Sequence, residues 1–279
     1  MTAEHLTDGW EPDLPVSDTL LRRFLFNLAA FHEVPVVAAG GRVLRRDDFA
    51  AADLGRPAAM NNAATLLRPL PFDRPAETLD EVEGFFDGGG RGEVYLWSAW
   101  PTPDLRPRGW VLEGHPPLLL RPPGARPVPP VPPGLRVERV AGVDALRDWE
   151  RVAVDGFPYR ELQPWRPGQL LDERVLGDGR LRLWVGYQDD RPVCVGSLYV
   201  AEGVAAFSLG VTLPEARRRG YWAAMAAVRL VEEPGLPAVG IFSDMSRPSA
   251  EAIGFLPLTR FTLWHRPRPG PSGAAATTS

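Results

Sequence analysis

The chain of 279 residues contains no lysine; all 31 of its basic residues are arginine. Lysine codons are AT-rich, so a GC-rich bacterial genome accounts for this, and no function follows from it. Cysteine is nearly absent. Cys194 stands alone, which excludes an intramolecular disulfide. It falls among valines in a predicted strand, the setting of a buried core thiol rather than of a nucleophile. The four histidines, His5, His32, His115 and His265, are scattered without ligand spacing, so no metal site is expected. The first residues lack a basic stretch followed by an apolar one, and no apolar run is long enough to span a bilayer. A cytoplasmic, soluble protein without membrane partners is expected. There is also no excess of positive charge. Net charge is −4 and the pI about 5.7, which argues against a nucleic-acid partner.

What is present is ordinary for a globular protein: 44% hydrophobic and 24% charged residues. The length suits two domains. Seven prolines crowd residues 121–134, a composition that favours extended, semi-rigid spacers. The predicted organisation is therefore an α+β domain over 1–120, a linker over 121–134, a second domain over 135–266 and a disordered tail over 267–279.

In the first part, Ser17 or Asp18 can cap a helix running to about Glu33, which Pro35 ends. Val36-Val37 and Val43-Leu44 flank Gly40-Gly41 as a hairpin. Residues 47–52 read as a helical turn or two, 64–70 and 94–97 as strands, and 77–86 as a helix. Gly109 to Leu112 and Pro117 to Leu120 close the region. The second part opens with a strand over 135–140 and an amphipathic helix over 143–153. Residues 161–176 are helical in part. A hairpin over 180–200 follows, then an apolar run over 204–211. The helical pattern of Tyr221, Ala224, Met225, Val228 and Val231 comes next, then a strand over 238–242, a short helix over 249–253 and a last strand over 258–264.

Between the apolar run and the helix lies Arg217-Arg218-Arg219-Gly220. A helix start carries unpaired N–H groups and a partial positive charge, which suits a phosphate. A glycine there lets the backbone approach such an anion. Gly210, inside the run, marks a kink or close approach.

Arg217-Arg-Arg-Gly220-Tyr-Trp222 resembles the pyrophosphate loop of the GNAT superfamily, the acyl-CoA-dependent N-acyltransferases, whose pattern is Gln/Arg-x-x-Gly-x-Gly/Ala. Positions one and four match at Arg217 and Gly220; position six does not, because Trp222 stands where Gly or Ala is expected. The order of elements from about 135 to 266 is also similar to the family core. The resemblance implies a mixed α/β sheet fold, acetyl-CoA as co-substrate and an amine of a small molecule or peptide as acceptor. It implies that Leu209, Val211, Thr212 and Leu213 present backbone to the pantetheine arm, and that Arg217, Arg218, Arg219, Gly220, Tyr221 and Trp222 hold the pyrophosphate. The first part is similar to the degenerate half of two-part members; an unrelated α+β domain is the alternative. Asp155 and Glu161 are candidate bases. Many members place an acidic tyrosine on the short helix, and this chain has none there; Ser246 and Ser249 are the nearby hydroxyls, and Ser246 is the candidate. Three activities stay open: N-acetyl transfer, ligand binding without turnover, and acyl-CoA decarboxylation or transfer to another nucleophile. Oligomeric state is open.

Overall fold

The computed structural model describes residues 20–89, 92–124, 128–157 and 159–268. The candidate caps Ser17 and Asp18 lie outside them, as do residues 269–279 of the expected tail. Helix α1 (Leu20–Ala38) buries Phe24, Leu28 and Phe31. It runs through Pro35, past its predicted end at Glu33. A proline is least disruptive near a helix end, and here only the last turn follows it. Gly40 makes the stop. Its φ is +77°, and Gly41 N–H reaches Val36 C=O at 2.7 Å while Gly40 N–H reaches Val37 C=O at 3.0 Å. That is a Schellman closure, so Val36 and Val37 finish a helix and are not hairpin strands.

The hairpin that does form joins β1 (Arg42–Arg45) to β2 (Phe49–Asp53). The β2 stretch reads as helical by propensity, because alanine dominates it. Both of its faces are buried, against α1 and against α2 (Pro75–Asp87), and small side chains fit such a layer. Strands β3 (Asn62–Leu66), β4 (Gly92–Ser98), β5 (Val111–Gly114) and β6 (Pro117–Arg121) follow. After the proline-rich stretch come β7 (Leu135–Arg139), α3 (Val143–Gly156), β8 (Leu181–Gln188), β9 (Arg191–Ala201) and β10 (Val204–Thr212). The described residues close with α4 (Tyr221–Leu230), β11 (Ala238–Ile241), α5 (Arg247–Ala252), β12 (Leu256–Arg260) and β13 (Thr262–Arg268). Residues 161–176 hold only short 3-10 turns at Arg160–Leu162 and Glu173–Gly177.

These strands form two mixed sheets, ordered β1-β2-β3-β4-β13-β5 and β12-β6-β11-β10-β9-β8-β7. The sheets exchange strands. β6 precedes the proline-rich stretch yet pairs with β11 and β12, and β13 returns to pair with β4 and β5. Residues 121–134 therefore do not separate one sheet from the other. The expected last strand over 258–264 is two strands in two sheets, broken at fully buried Phe261. Pro267 and Arg268, expected in the tail, belong to β13, where Arg268 Nη1 meets Asp53 Oδ1 at 2.9 Å with both side chains buried. The halves share a core in which α1 packs on β9 and β10, and Asn27 Nδ2 donates to the carbonyls of Tyr199 (3.2 Å) and Ala201 (3.0 Å). Cys194 is fully buried, and burial pushes its thiol pKa up to about 12.

His32 lies in this core, stacked on Trp97 with ring centroids 6.2 Å apart. Burial pushes its pKa down to about 4, against an ordinary value of about 6.5. Between these values the unfolded chain binds the extra proton, so stability falls as pH drops from about 6.5 to about 4, by about 3 kcal/mol over that window. His32→Gln should flatten the slope in urea melts across this range; equal slopes in both chains would contradict the assignment.

Candidate functional site

Strand β10 carries an irregularity. Ser208 pairs with Ser197 and Val211 with Val195, so three steps on β10 face two on β9. Leu209 takes the positive φ, +48°, of this bulge. The kink is thus centred on Leu209, one residue before the expected Gly210. Gly210 serves close approach instead: a Cβ there would lie 3.3 Å from Arg229 Nη2 and 3.8 Å from Trp222 Nε1. On its other edge β10 pairs in parallel with β11 only from Ala205 to Phe207. Beyond Phe207 the two strands part, and Leu209 to Thr212 have no ladder partner on that side.

Past β10 the chain makes a 3-10 turn at Pro214–Ala216 and then Arg217 to Gly220. Arg218 (φ +63°) and Gly220 (φ +79°) are both left-handed, and Gly220 starts α4. All three arginines are exposed. Arg217 Nε donates back to Thr212 C=O at 3.1 Å, and Arg219 Nη1 and Tyr221 OH both donate to Gln188 Oε1, at 2.9 and 3.1 Å. Arg218 has no partner among the described residues. Thr212 Oγ1 is buried without one. Leu213 departs from expectation: its N–H is donated to Val193 C=O at 2.9 Å, towards β9 and away from the gap. Backbone N–H groups alternate sides along a strand, which turns Thr212 towards the gap.

Asp155 sits in the last turn of α3, beside the parting strands. Its neighbour Gly156 packs so closely on β10 that a Cβ would lie 2.7 Å from Val211 Cγ2. Asp155 is half-exposed; Gln163 Nε2 donates to its Oδ1 at 3.0 Å, and Arg151 Nε lies 3.9 Å from Oδ2. Glu161 is exposed on the turn after α3. Ser246 is engaged with Ser243, with hydroxyl oxygens 3.0 Å apart, and bonds to no residue of the loop or of α3.

The fold that carries this bulged strand, open edge and glycine-led helix is shared with solved structures. The chain is similar to a GCN5-related N-acetyltransferase from Kribbella flavida (TM-score 0.59, 18% identity, 87% of this chain and 96% of that one). It is also similar to a GCN5-related N-acetyltransferase from Sphaerobacter thermophilus (0.51, 14%, 80% and 78%). A tandem GNAT protein from the clavulanic acid biosynthesis pathway matches with TM-score 0.51 and 15% identity over 92% of this chain and 98% of that one. This is the GNAT fold. No protein-family model matches the chain, and no curated protein matches it. At these identities the likeness is one of fold, and it extends over both sheets.

On this GNAT fold the Trp222 side chain, from the first turn of α4, reaches both β10 and the residue after β11. Its Nε1 lies beside Gly210, and its ring meets Phe242, just past the end of β11, edge-on at 6.1 Å. Phe242 in turn contacts Phe255 at 5.2 Å. Pro132 approaches the loop from outside, with Cγ 3.4 Å from where a Gly220 Cβ would be.

Sequence patterns alone do not single out Tyr159, Tyr95 or Glu150. Tyr159 OH donates to Met60 Sδ at 3.4 Å, and burial pushes its pKa up, helped by nearby Tyr95 and Glu161. Tyr95, on β4, is pushed up to about 12, first by burial and then by Glu113, Glu93 and Glu161. These groups place the first sheet beside the Asp155–Glu161 segment. Glu150 is fully buried on α3. Its Oε1 accepts from the N–H groups of Leu170 (2.7 Å) and Leu171 (3.2 Å), and its Oε2 from Gly168 N–H (2.8 Å) and Arg147 Nη1 (3.1 Å). It anchors the 168–171 segment to α3. A signal was available: an acid on the apolar face defined by Leu146, Trp149 and Val152.

Proposed function

We propose that the chain moves an acyl group, in the simplest case acetyl, from acyl-CoA to an amine of a small molecule or peptide. The observation that carries this reading is β10, which bulges at Leu209, parts from β11 after Phe207 and leads through Arg217–Gly220 into α4. Arg218 and the N–H groups at the start of α4 fit a pyrophosphate by charge and by geometry. In this reading Arg217 and Arg219 hold the loop, through Thr212 and Gln188, rather than the ligand. Asp155, whose neighbour Gly156 packs on Val211, is the base in this reading: it takes a proton from the acceptor's ammonium, and the neutral amine then attacks the thioester. Ser246 is spent on Ser243, so the thiolate leaves without a dedicated acid. A thiol of ordinary pKa, about 8.5, permits that slowly near neutral pH.

The test is release of free CoA thiol from acetyl-CoA with and without a panel of primary amines. Amine-dependent release is expected, with a rate that rises towards alkaline pH as the acceptor loses its proton. A second reading, ligand binding without turnover, is favoured by the Trp222 ring, which reaches both β10 and the residue after β11; tight CoA binding with no amine-dependent release would select it. Removing that ring separates the loop from the plug. Trp222→Ala should strengthen acetyl-CoA binding about tenfold in calorimetry, or about 1.4 kcal/mol. A tenfold loss would show that the indole is a wall of the binding site.

A further inference from the structure

Arg229, in the last turn of α4, is 2% exposed. Its Cζ lies 4.3 Å from the centre of the Phe207 ring. Nε donates to Met225 C=O and Nη1 to Ser197 C=O, each at 3.0 Å. Two glycines on adjacent strands make room for the guanidinium. A Cβ at Gly196 would lie 2.9 Å from Cζ, and one at Gly210 would lie 3.3 Å from Nη2. Among the described residues Nη2 has no hydrogen-bond acceptor and no carboxylate pairs with Arg229. Burial lowers its pKa to about 9. A cation in this setting is costly unless a counter-charge reaches it.

Arg229 also lines a cavity of about 350 Å³, a size that suits a small molecule. Arg121 of β6 lines the same cavity and is 7% exposed, its Nε donating to Ile253 C=O at 2.9 Å. The one acid in the lining, Glu233, is matched by Arg182 Nη2 at 2.7 Å. The remaining wall is largely apolar and includes Phe207, Leu230 and the register partners Ala205 and Ala238. Those two alanines leave the space that larger side chains would fill. The cavity opens at the C-terminal end of α4, about 15 Å along the helix from Gly220, and so is separate from the loop.

We propose that this cavity binds a small organic anion, a monocarboxylate with an apolar tail. The carboxylate sits at Arg229, and the tail lies against Phe207, Ala205 and Ala238. The proposal stands whether or not the chain transfers acyl groups.

Octanoate and 1-octanol serve as paired calorimetric probes of the full chain. Octanoate should saturate one site, and octanol should bind at least about tenfold more weakly. Arg229→Met should make the two probes alike, while Arg229→Lys keeps the charge and most of the preference. Ala238→Leu fills the cavity beside Arg121, its register partner on β6, leaves Arg229 in place, and should weaken octanoate at least about tenfold in a chain that still melts cooperatively. It decides the matter if Arg229→Met fails to fold. Equal binding of octanoate and octanol, no saturation by octanoate up to about 10 mM, or wild-type octanoate affinity in Ala238→Leu would each overturn the proposal.

Discussion

Glu150→Ala is expected to destabilise the protein by about 3–5 kcal/mol, the cost of breaking a buried charge network from one side. The carboxylate is fully buried and collects the N–H groups of Gly168, Leu170 and Leu171 together with Arg147. Alanine would leave those donors unmet, and an unpaired buried donor costs about 1–3 kcal/mol. The segment it holds is also tied to the first sheet's side: Asn61 Nδ2 donates to Leu170 C=O at 2.8 Å and Arg56 Nη1 to Gly168 C=O at 3.0 Å. Loss of the anchor should therefore loosen the contact between the halves at this point. Glu150→Gln keeps an acceptor oxygen and should lose about half as much. Denaturant midpoints measure both. A loss below about 1 kcal/mol in the alanine variant would mean that the segment finds other acceptors.

Gly220→Asp should weaken CoA binding at least tenfold, about 1.4 kcal/mol or more. Two effects add. The backbone at φ +79° disfavours any side chain, and the new carboxylate would face the ligand phosphates at the helix start. Space is not the obstacle, since a Cβ would touch only Pro132 Cγ, at 3.4 Å. Gly220→Asn separates the two effects, because asparagine meets the left-handed backbone about as well as aspartate does and carries no charge. It should retain most of the affinity. Equal binding by the wild type and the aspartate variant in calorimetry would remove the loop from the phosphate site.

The loop and its flanking elements were legible because they are local. A strand pattern, a basic turn with glycine and a helix pattern follow one another without interruption from Val204 to Leu230. Local chemistry also foretold the buried thiol of Cys194. What was not legible was pairing across distance. The patterns of Pro117–Arg121 and Thr262–Arg268 mark strands but do not state which sheet receives them, so the exchange of β6 and β13 could not be read. Phe49–Asp53 misleads because alanine's helix propensity is weaker than burial on both faces. Pro35 misleads because a proline in a last turn is cheap and Gly40 makes the stop. At the site, glycine propensity points to Gly210, yet the bulge places its strained φ on Leu209. Leu213 and Ser246 look available in sequence, and each is engaged, with Val193 and with Ser243. Trp222 was visible as a departure from the loop pattern, but only the fold shows its ring meeting Phe242.

We propose that the Arg217–Gly220 loop and the opening beside β10 form an acyl-CoA site. Calorimetric titration of the wild-type chain with acetyl-CoA tests it most directly, with Trp222→Ala run alongside. Saturable binding at one site per chain is expected, tighter in the variant. The absence of saturable heat in both chains up to about 1 mM acetyl-CoA would contradict the claim.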